Sequence, residues 1–196
     1  MQNVRVFFEK TGMTKYISHL DLMRCMTRAI KRAAIPAWYT EGFNPHLFIT
    51  FALPLTLGVE SLCESMDIRL TEEMGFEEVK NRLNVNLPDG IRITNVAVPV
   101  YKANDIAFAE YKITFHTRKN EKIKNEIEEK LLCDELLAEK MGKQGKRKVL
   151  KTINLKEFVN SYSVISLNDK TVLTAVLTAG SKNTVSYTHL TLPTIA

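Results

Sequence analysis

The chain has 196 residues, of which 45% are hydrophobic and 25% charged, with only 8 glycines and 6 prolines. This composition is typical of a globular protein with a sizeable core, and it excludes collagenous, low-complexity and disordered chains. No apolar run approaches the roughly 20 residues that a membrane helix needs, and the charged start of the chain does not resemble a signal peptide. A cytoplasmic protein that does not bind a membrane is therefore expected.

The formal net charge of +5 is unevenly distributed along the chain. Residues 1–60 carry seven Lys or Arg against four Asp or Glu, residues 61–100 carry four against seven, and residues 101–196 carry sixteen against eleven. Basic segments therefore flank an acidic one. A sequence pI near 9.0 permits binding to a phosphate-rich partner such as RNA, although many proteins of this charge never contact nucleic acid.

The three cysteines, Cys25, Cys63 and Cys133, are odd in number and widely spaced. Both a disulfide framework and a CxxC zinc or redox site need paired or closely spaced cysteines. The sequence therefore predicts three buried free thiols.

The first two elements are predicted from a change in the spacing of apolar residues. Val4, Val6 and Phe8 alternate with other positions and predict a strand with one buried face. Ser18 is a good N-cap for the helix that follows, and Pro36 ends that helix. The apolar side of the helix is predicted to consist of His19, Leu22, Met26, Ala29, Ile30 and Ala33.

Three further strands and one helix complete the first hundred residues. Strands are predicted at 48–53, 63–70 and 91–98, with a short helix near 76–83 between the last two. The resulting order is βαββαβ. This order predicts a ferredoxin-like sandwich over residues 1–100.

The second half of the chain begins the same pattern again. A strand is predicted at 111–117 and a long helix at 121–140, in which apolar residues recur every four positions. Further strands are predicted at 148–155, 161–166 and 171–180. The predicted fold class is therefore α+β, a ferredoxin-like sandwich followed by a second, incomplete ferredoxin-like unit over residues 108–184.

The end of the chain differs from the rest. Residues 185–194 have the sequence VSYTHLTLPT, which resembles the conceptual translation of an adapter used to prepare sequencing libraries. We therefore expect residues 185–196 to be non-native and the natural sequence to be truncated near Thr184.

Uncommon residues are concentrated in two segments of the first half. One is SHLDL at 18–22 and the other EGFNPH at 41–46, and they are followed by FALPLTLGVES at 51–61 and by Glu64 and Asp67. In a βαββ unit the start of the first helix and the end of the next strand lie near one another. The two segments are therefore expected to line one polar pocket.

This combination of motifs resembles the radical-SAM-associated family of unknown function, whose members are fused to, or encoded beside, radical SAM proteins. The resemblance covers residues 3–180 and is densest over 16–70. It implies a radical SAM protein as partner, which would carry an iron–sulfur cluster and S-adenosylmethionine, and it supplies no reaction for this chain. The chain has no CxxxCxxC motif for such a cluster, so it is not expected to be that enzyme or to hold a cofactor. Leu47 and Phe48 stand where the family usually has proline and a basic residue.

The residues of the two motifs have structural interpretations beside functional ones. His19 lies at the edge of the apolar side of the helix, so it either packs against the core or donates to a phosphate. His46 follows Asn-Pro in a loop and is less readily explained by packing. Asp21 suits the positive end of the helix, Gly42 a turn that needs positive φ, and Asn44 an Asx turn.

Four carboxylates near these motifs are either solvated or, with the two histidines, potential metal ligands. They are Glu41, Glu60, Glu64 and Asp67. No short spacing between histidines supports a metal site, so none is predicted. The predicted binding site consists of Ser18, His19, Asp21, Arg24, Arg28, Glu41, Gly42, Asn44, His46 and Glu64, with His19 and His46 as the candidate catalytic residues.

Two basic segments are candidate phosphate contacts. Arg24, Arg28, Lys31 and Arg32 form one side of the first helix, which is either simply solvated or an RNA contact. The second segment, residues 140–148, contains no acidic residue and two glycines, which predicts a flexible loop. Its predicted RNA contacts are Lys146, Arg147 and Lys148.

Three functions from different classes are compatible with these residues. The first is a non-catalytic accessory domain that binds structured RNA or presents a substrate to a radical SAM partner, since RNA-binding modules often use a ferredoxin-like sheet. The second is a metal-independent RNA-processing nuclease in which His19 or His46 is the general acid or base. The third is a protein-interaction domain that docks its partner through Phe43, Phe48 and Leu57.

Overall fold

The computed structural model describes residues 1–116, 119–144 and 147–179 of the chain. The chain divides into two compact units, Met1–Asp105 and a second that begins at Ile106. Both units combine helices with antiparallel strands, which confirms the predicted α+β class. Among the described helices the longest has 14 residues, and none has the length and apolar character that crossing a membrane requires.

The first unit has the predicted element order βαββαβ. Its elements are β1 (Gln2–Lys10), α1 (His19–Arg32), β2 (Ile49–Phe51), β3 (Ser61–Leu70), α2 (Phe76–Asn86) and β4 (Ile91–Ala97). The strands form one antiparallel sheet in the order β2-β3-β1-β4. This is the strand order of a ferredoxin-like sandwich, with β1 and β3 in the centre.

The core of the first unit lies between this sheet and its two helices. Val4, Val6 and Phe8 of β1 are fully buried and pack in one cluster with residues of both helices. The alternation that predicts β1 is confirmed, because its other positions are less buried. The predicted apolar side of α1 is also confirmed, with Leu22, Met26, Ala29, Ile30 and Ala33 all buried.

The chain between α1 and β2 is held against the edge of the sheet. Ala37 pairs with Leu70 at the end of β3, and Tyr39 pairs with Leu47. The second pairing closes a hairpin over residues 40–46, which we name the His46 hairpin. The extended backbone needed for these pairings places neighbouring side chains on opposite sides of the sheet edge.

The second unit contains one helix and five strands within the described residues. The elements are β5 (Phe108–His116), α3 (Asn120–Leu132), β6 (Leu137–Gln144), β7 (Arg147–Asn154), β8 (Val159–Leu167) and β9 (Lys170–Thr178). The strand order β8-β9-β5 repeats the order β2-β3-β1 of the first unit, and β6 and β7 form a separate hairpin. The described part thus contains one helix and three strands of a ferredoxin-like arrangement, compatible with the predicted incomplete unit.

The predicted helix over 121–140 is wrong in its second half. α3 ends at Leu132, and the chain from Leu137 onward is a strand. Leu136 and Ala138 are 8% and 4% exposed, whereas Leu137 between them is 58% exposed. This is the two-residue period of a strand, and pairing with β7 stabilises it against the local helical pattern.

The predicted flexible loop over 140–148 is also wrong for most of its length. β6 continues to Gln144 and β7 begins at Arg147, so Arg147 and Lys148 belong to a strand of the hairpin. Lys146 lies outside the described residues. A hairpin satisfies its backbone hydrogen bonds through cross-strand pairing, so glycines and basic side chains do not exclude it.

The predicted burial of the three cysteines is wrong for two of them and only partly met by the third. Cys63 and Cys133 are exposed, and Cys25 is half-buried in α1. Cys63 lies before the part of β3 that reaches the core, and Cys133 follows the last residue of α3. Both positions lie at the ends of elements, where burial decreases.

Candidate functional site

Ser18, Asp21 and Arg24 are joined by hydrogen bonds at the exposed start of α1. The Asp21 N–H donates to Ser18 Oγ at 3.1 Å, and the Ser18 hydroxyl donates to Asp21 Oδ2 at 2.7 Å. Arg24 Nη1 donates to Asp21 Oδ1 at 3.1 Å. The Ser18 hydroxyl, followed by the Arg24 guanidinium, lowers the pKa of Asp21. Ser18 is therefore the predicted N-cap, and Asp21 stabilises the start of the helix.

His19 is the first residue of α1 and lies half-buried at the border of the core. Its ring centre is 5.0 Å from that of Phe51 in an edge-on arrangement, and Phe51 in turn lies 6.1 Å from Phe8. These contacts correspond to the packing interpretation of His19. Its contact with a phosphate stays a prediction.

Glu64 and Lys10 place two charged groups on the helix-facing side of the sheet. Glu64 is paired with Phe8 across β1 and β3, so its side chain leaves the sheet on the same face as that buried ring. Burial raises the pKa of Glu64, and a hydrogen bond with Ser61 and the charge of Lys10 partly offset this effect. Burial also lowers the pKa of Lys10, against the opposing effect of Glu64.

Lys10 is a site residue that the sequence-based prediction missed. It is only 1% exposed, and its ammonium donates to the carbonyl oxygens of Lys15 and Ile17, each at 3.3 Å. A lysine is rarely this buried unless its charge is satisfied. The signal was present in the sequence, because position 10 continues the alternation of the buried residues of β1. Lys10 thus stabilises the turn that precedes α1 and His19.

The histidine of the second motif is held inside the His46 hairpin. The His46 N–H donates to Thr40 Oγ1 at 3.1 Å, and His46 Nδ1 lies 3.0 Å from Thr40 Oγ1 and 3.2 Å from the Asn44 carbonyl oxygen. Gly42 has φ +121°, which confirms the predicted turn with positive φ. Glu41 and Asn44 are exposed. The hairpin therefore orients His46 towards its own loop residues.

The described contacts of the two histidines do not share a residue. His19 contacts Phe51, whereas His46 contacts Thr40 and Asn44. Each histidine is held by its own part of the chain. The single polar pocket expected from the two motifs therefore stays a prediction.

Two of the four candidate carboxylates are paired with cations rather than with the histidines. Arg5 donates to both oxygens of Asp67 at 2.7 and 2.8 Å, and Lys15 lies 3.1 Å from Glu60. Over the ranges that the structure describes, no three His, Cys, Asp or Glu side chains are grouped so as to hold a metal ion. Asp67 and Glu60 therefore each connect two distant segments of the first unit through an ion pair.

The basic side of α1 is exposed along its length. Arg28 lies in the middle of this side, and Lys31 Nζ is 5.5 Å from the centre of the Tyr39 ring. Arg32 donates to the carbonyl oxygen of Asn86. Arg28 and Lys31 are three residues apart and thus neighbours on one helix surface.

The raised pKa of Glu64 predicts a measurable dependence of stability on pH. A carboxyl group whose pKa is raised by folding binds its proton more tightly in the folded state, so stability falls as pH rises above its unfolded pKa of 4.5. Glu64→Gln is expected to remove this loss. The stability of the variant relative to wild type should therefore increase between about pH 4 and about pH 7 in urea unfolding experiments.

Glu60→Gln is the matched control, since it removes the same charge from an exposed ion pair in the neighbouring loop. Little change with pH is expected for this variant. A relative stability of Glu64→Gln that declined from about pH 4 to about pH 7 would contradict the prediction.

Comparison with known proteins places the chain in a family without assigning an activity. No curated protein matches the chain. Residues 3–186 match a family model described as "Uncharacterized protein conserved in bacteria (DUF2344)". The match includes both motifs and extends through the described part of both units. Because it spans most of the chain, this protein belongs to that uncharacterised bacterial family.

Proposed function

We propose that this protein is a non-catalytic accessory domain that binds RNA and works beside a radical SAM protein. The main support for RNA binding is the charge of α1, which has four basic residues and one acidic residue. Its opposite side is buried in the core, so the basic side is fixed in orientation. A rigid row of cations is suited to the phosphate backbone of RNA.

Arg28 and Lys31 are the two residues on which this proposal depends most. Arg24 is paired with Asp21, and Arg32 with a carbonyl of the following helix. Arg28 and Lys31 are both exposed and point from the same side of the helix. Each is expected to contact a phosphate and to displace condensed counterions from the RNA.

The test is fluorescence anisotropy with labelled single-stranded and hairpin RNA at several salt concentrations. Wild-type affinity should fall steadily between about 50 and about 200 mM salt. The double variant Arg28→Ala, Lys31→Ala should bind roughly tenfold or more weakly. Its slope of log affinity against log salt should be smaller by about 1.4, at roughly 0.7 for each phosphate contact on a single strand.

The control is the double variant Lys112→Ala, Lys122→Ala, which removes two exposed lysines from the second unit. It has the same net charge as the α1 variant but keeps the basic side of α1. Equal losses in the two variants would show a non-specific charge effect and would oppose the proposal. Absence of wild-type binding at about 50 mM salt would oppose it directly.

The proposal of a radical SAM partner rests on the resemblance of the two motifs. It does not depend on RNA binding. Two apolar side chains suit docking to a protein, because Phe43 is fully exposed in the His46 hairpin and Leu57 is 57% exposed. Phe48, the third predicted anchor, packs against Trp38 and is only partly available. We expect a radical SAM protein to be encoded beside the gene, and we expect it to co-purify with this chain after ribonuclease treatment. Loss of co-purification in Phe43→Ser, Leu57→Ser would locate the docking surface.

A metal-independent nuclease is the second candidate function. It is favoured by the position of His19, an imidazole at the start of a basic helix where bound RNA would be within reach. Incubation of RNA with wild type, His19→Ala and His46→Ala separates the two functions. Cleavage that either substitution abolishes would establish the nuclease, and intact RNA with retained binding would support the accessory domain.

A further inference from the structure

Trp38, Phe48 and Arg69 form a cluster that lies outside the two motifs at residues 18–22 and 41–46. The Arg69 guanidinium carbon lies 5.0 Å from the centre of the Trp38 ring and 5.1 Å from that of Phe48. The two rings are 5.6 Å apart and inclined at 60°. We name these three residues the edge cluster. All three are half-buried, so part of each side chain remains exposed to solvent.

The backbone holds the edge cluster on the sheet face that the helices do not cover. The Trp38 N–H donates to the Arg69 carbonyl oxygen at 2.7 Å, and the Phe48 N–H donates to the Trp38 carbonyl oxygen at 3.1 Å. Ala37, the neighbour of Trp38, points into the core. Alternation along an extended chain therefore directs Trp38 to the opposite face.

The polar groups next to Arg69 on this face include a carboxylate that is already paired with another cation. Arg69 Nε donates to Asn3 Oδ1 at 3.1 Å, and Asn3 itself is exposed. Two residues before Arg69, both oxygens of Asp67 accept hydrogen bonds from Arg5. The cluster thus combines aromatic rings with a guanidinium whose nearest carboxylate in β3 is already balanced.

The edge cluster is also continuous with the basic side of α1. Tyr39 follows Trp38 and points to the helix side, where Lys31 Nζ lies 5.5 Å from the centre of its ring. The dipeptide Trp38-Tyr39 therefore connects the proposed phosphate contacts with the aromatic rings. A nucleic acid strand that follows the basic helix would meet the cluster where it crosses the sheet edge.

Resting on the proposed function, we propose that the edge cluster is a stacking site for unpaired RNA bases. Every base has an apolar face that stacks on an aromatic ring, and a guanidinium beside the ring adds a contact for the base or its phosphate. Bases inside a duplex are already stacked on one another and are not available to a ring. The site therefore selects single-stranded RNA over duplex RNA.

Trp38 is the single tryptophan of the chain, so its fluorescence reports this site directly. Single-stranded RNA should quench the fluorescence, with the same midpoint as the anisotropy titration. Phe48→Leu keeps Trp38 as the fluorescent reporter. It should weaken the binding of single-stranded RNA roughly 5- to 150-fold, the range found when a stacking ring is removed. Trp38→Leu should have a similar effect by anisotropy, and Trp38→Phe should restore much of the affinity.

Phe108→Leu is the control, since it removes a ring that is 51% exposed in the second unit, outside the cluster, and should leave affinity unchanged. An anisotropy titration that saturates without any change in Trp38 fluorescence would overturn the proposed stacking site. It would leave the proposed function intact. Equal affinity of Phe48→Leu and wild type would do the same. Absence of binding in both assays would overturn both proposals.

Discussion

Replacing Phe8 by alanine is expected to lower the free energy of unfolding of the first unit by about 3–5 kcal/mol. Phe8 is fully buried in the central strand β1, and its ring contacts Phe51, which in turn contacts His19. The substitution removes a large apolar side chain and leaves a cavity in a close-packed region. Urea unfolding followed by fluorescence of Trp38 measures the effect, because this residue lies in the first unit.

Phe7→Ala is the matched control for this experiment. Phe7 precedes Phe8 in the same strand but lies on the other face of the sheet, where it is half-buried. Its loss should cost about 1–2 kcal/mol, since less apolar surface returns to water. Equal destabilisation by the two substitutions would contradict the placement of Phe7 and Phe8 on opposite faces of the sheet.

Replacing Gly90 by alanine is expected to lower the free energy of unfolding by about 3 kcal/mol. Gly90 has φ +90°, where a side chain is strained, and its carbonyl oxygen accepts hydrogen bonds from the Thr11 N–H and the Thr14 hydroxyl. An added Cβ would lie 2.6 Å from the Thr11 carbonyl oxygen and 2.9 Å from Thr14 Cγ2. The close contact with backbone cannot be relieved by rotating a side chain.

Gly58→Ala separates the strain from the close contact. Gly58 has φ +86°, nearly the same as Gly90, but no atom lies within 4 Å of the position of its Cβ. Only the cost of the left-handed conformation remains, which is about 1 kcal/mol. The same urea unfolding experiment compares the two variants. A loss for Gly90→Ala no larger than that for Gly58→Ala would contradict the contact between residue 90 and the turn at residues 11–14.

Much of the first unit was predictable because its patterns are local. The alternation of Val4, Val6 and Phe8, the cap at Ser18 and the positive φ at Gly42 each depend on a few neighbouring residues. Backbone geometry alone converts these patterns into buried faces, helix starts and turns. The structure confirms each of them.

The second unit was less predictable where local and cross-strand preferences compete. Residues 133–140 have the composition of a helix, yet Leu137 begins a strand because β7 pairs with it. The described residues of the basic segment, 140–144 and 147–148, belong to β6 and β7. The composition of one segment does not indicate which other segment, more than ten residues away in the sequence, will pair with it.

The candidate site shows the same division between local and distant contacts. The bonds of Ser18, Asp21 and Arg24 lie within one helical turn and were predictable. Burial of Lys10 and the placement of Arg69 beside Trp38 depend on which strands are neighbours. Neither Lys10 nor Arg69 was predicted as a site residue, and Phe48 was predicted only as a docking contact.

By itself, the sequence determined the α+β class, the order of elements in the first unit, the faces of β1 and α1, and the family resemblance. These follow from apolar periodicity, caps and short motifs, which act over one turn or one strand. Tertiary structure alone decided how far Lys10 and Glu64 are buried, and which rings and cations share the open face of the sheet. Those properties depend on strand pairing between distant residues, because burial and charge interactions arise only when the layers of the fold come together.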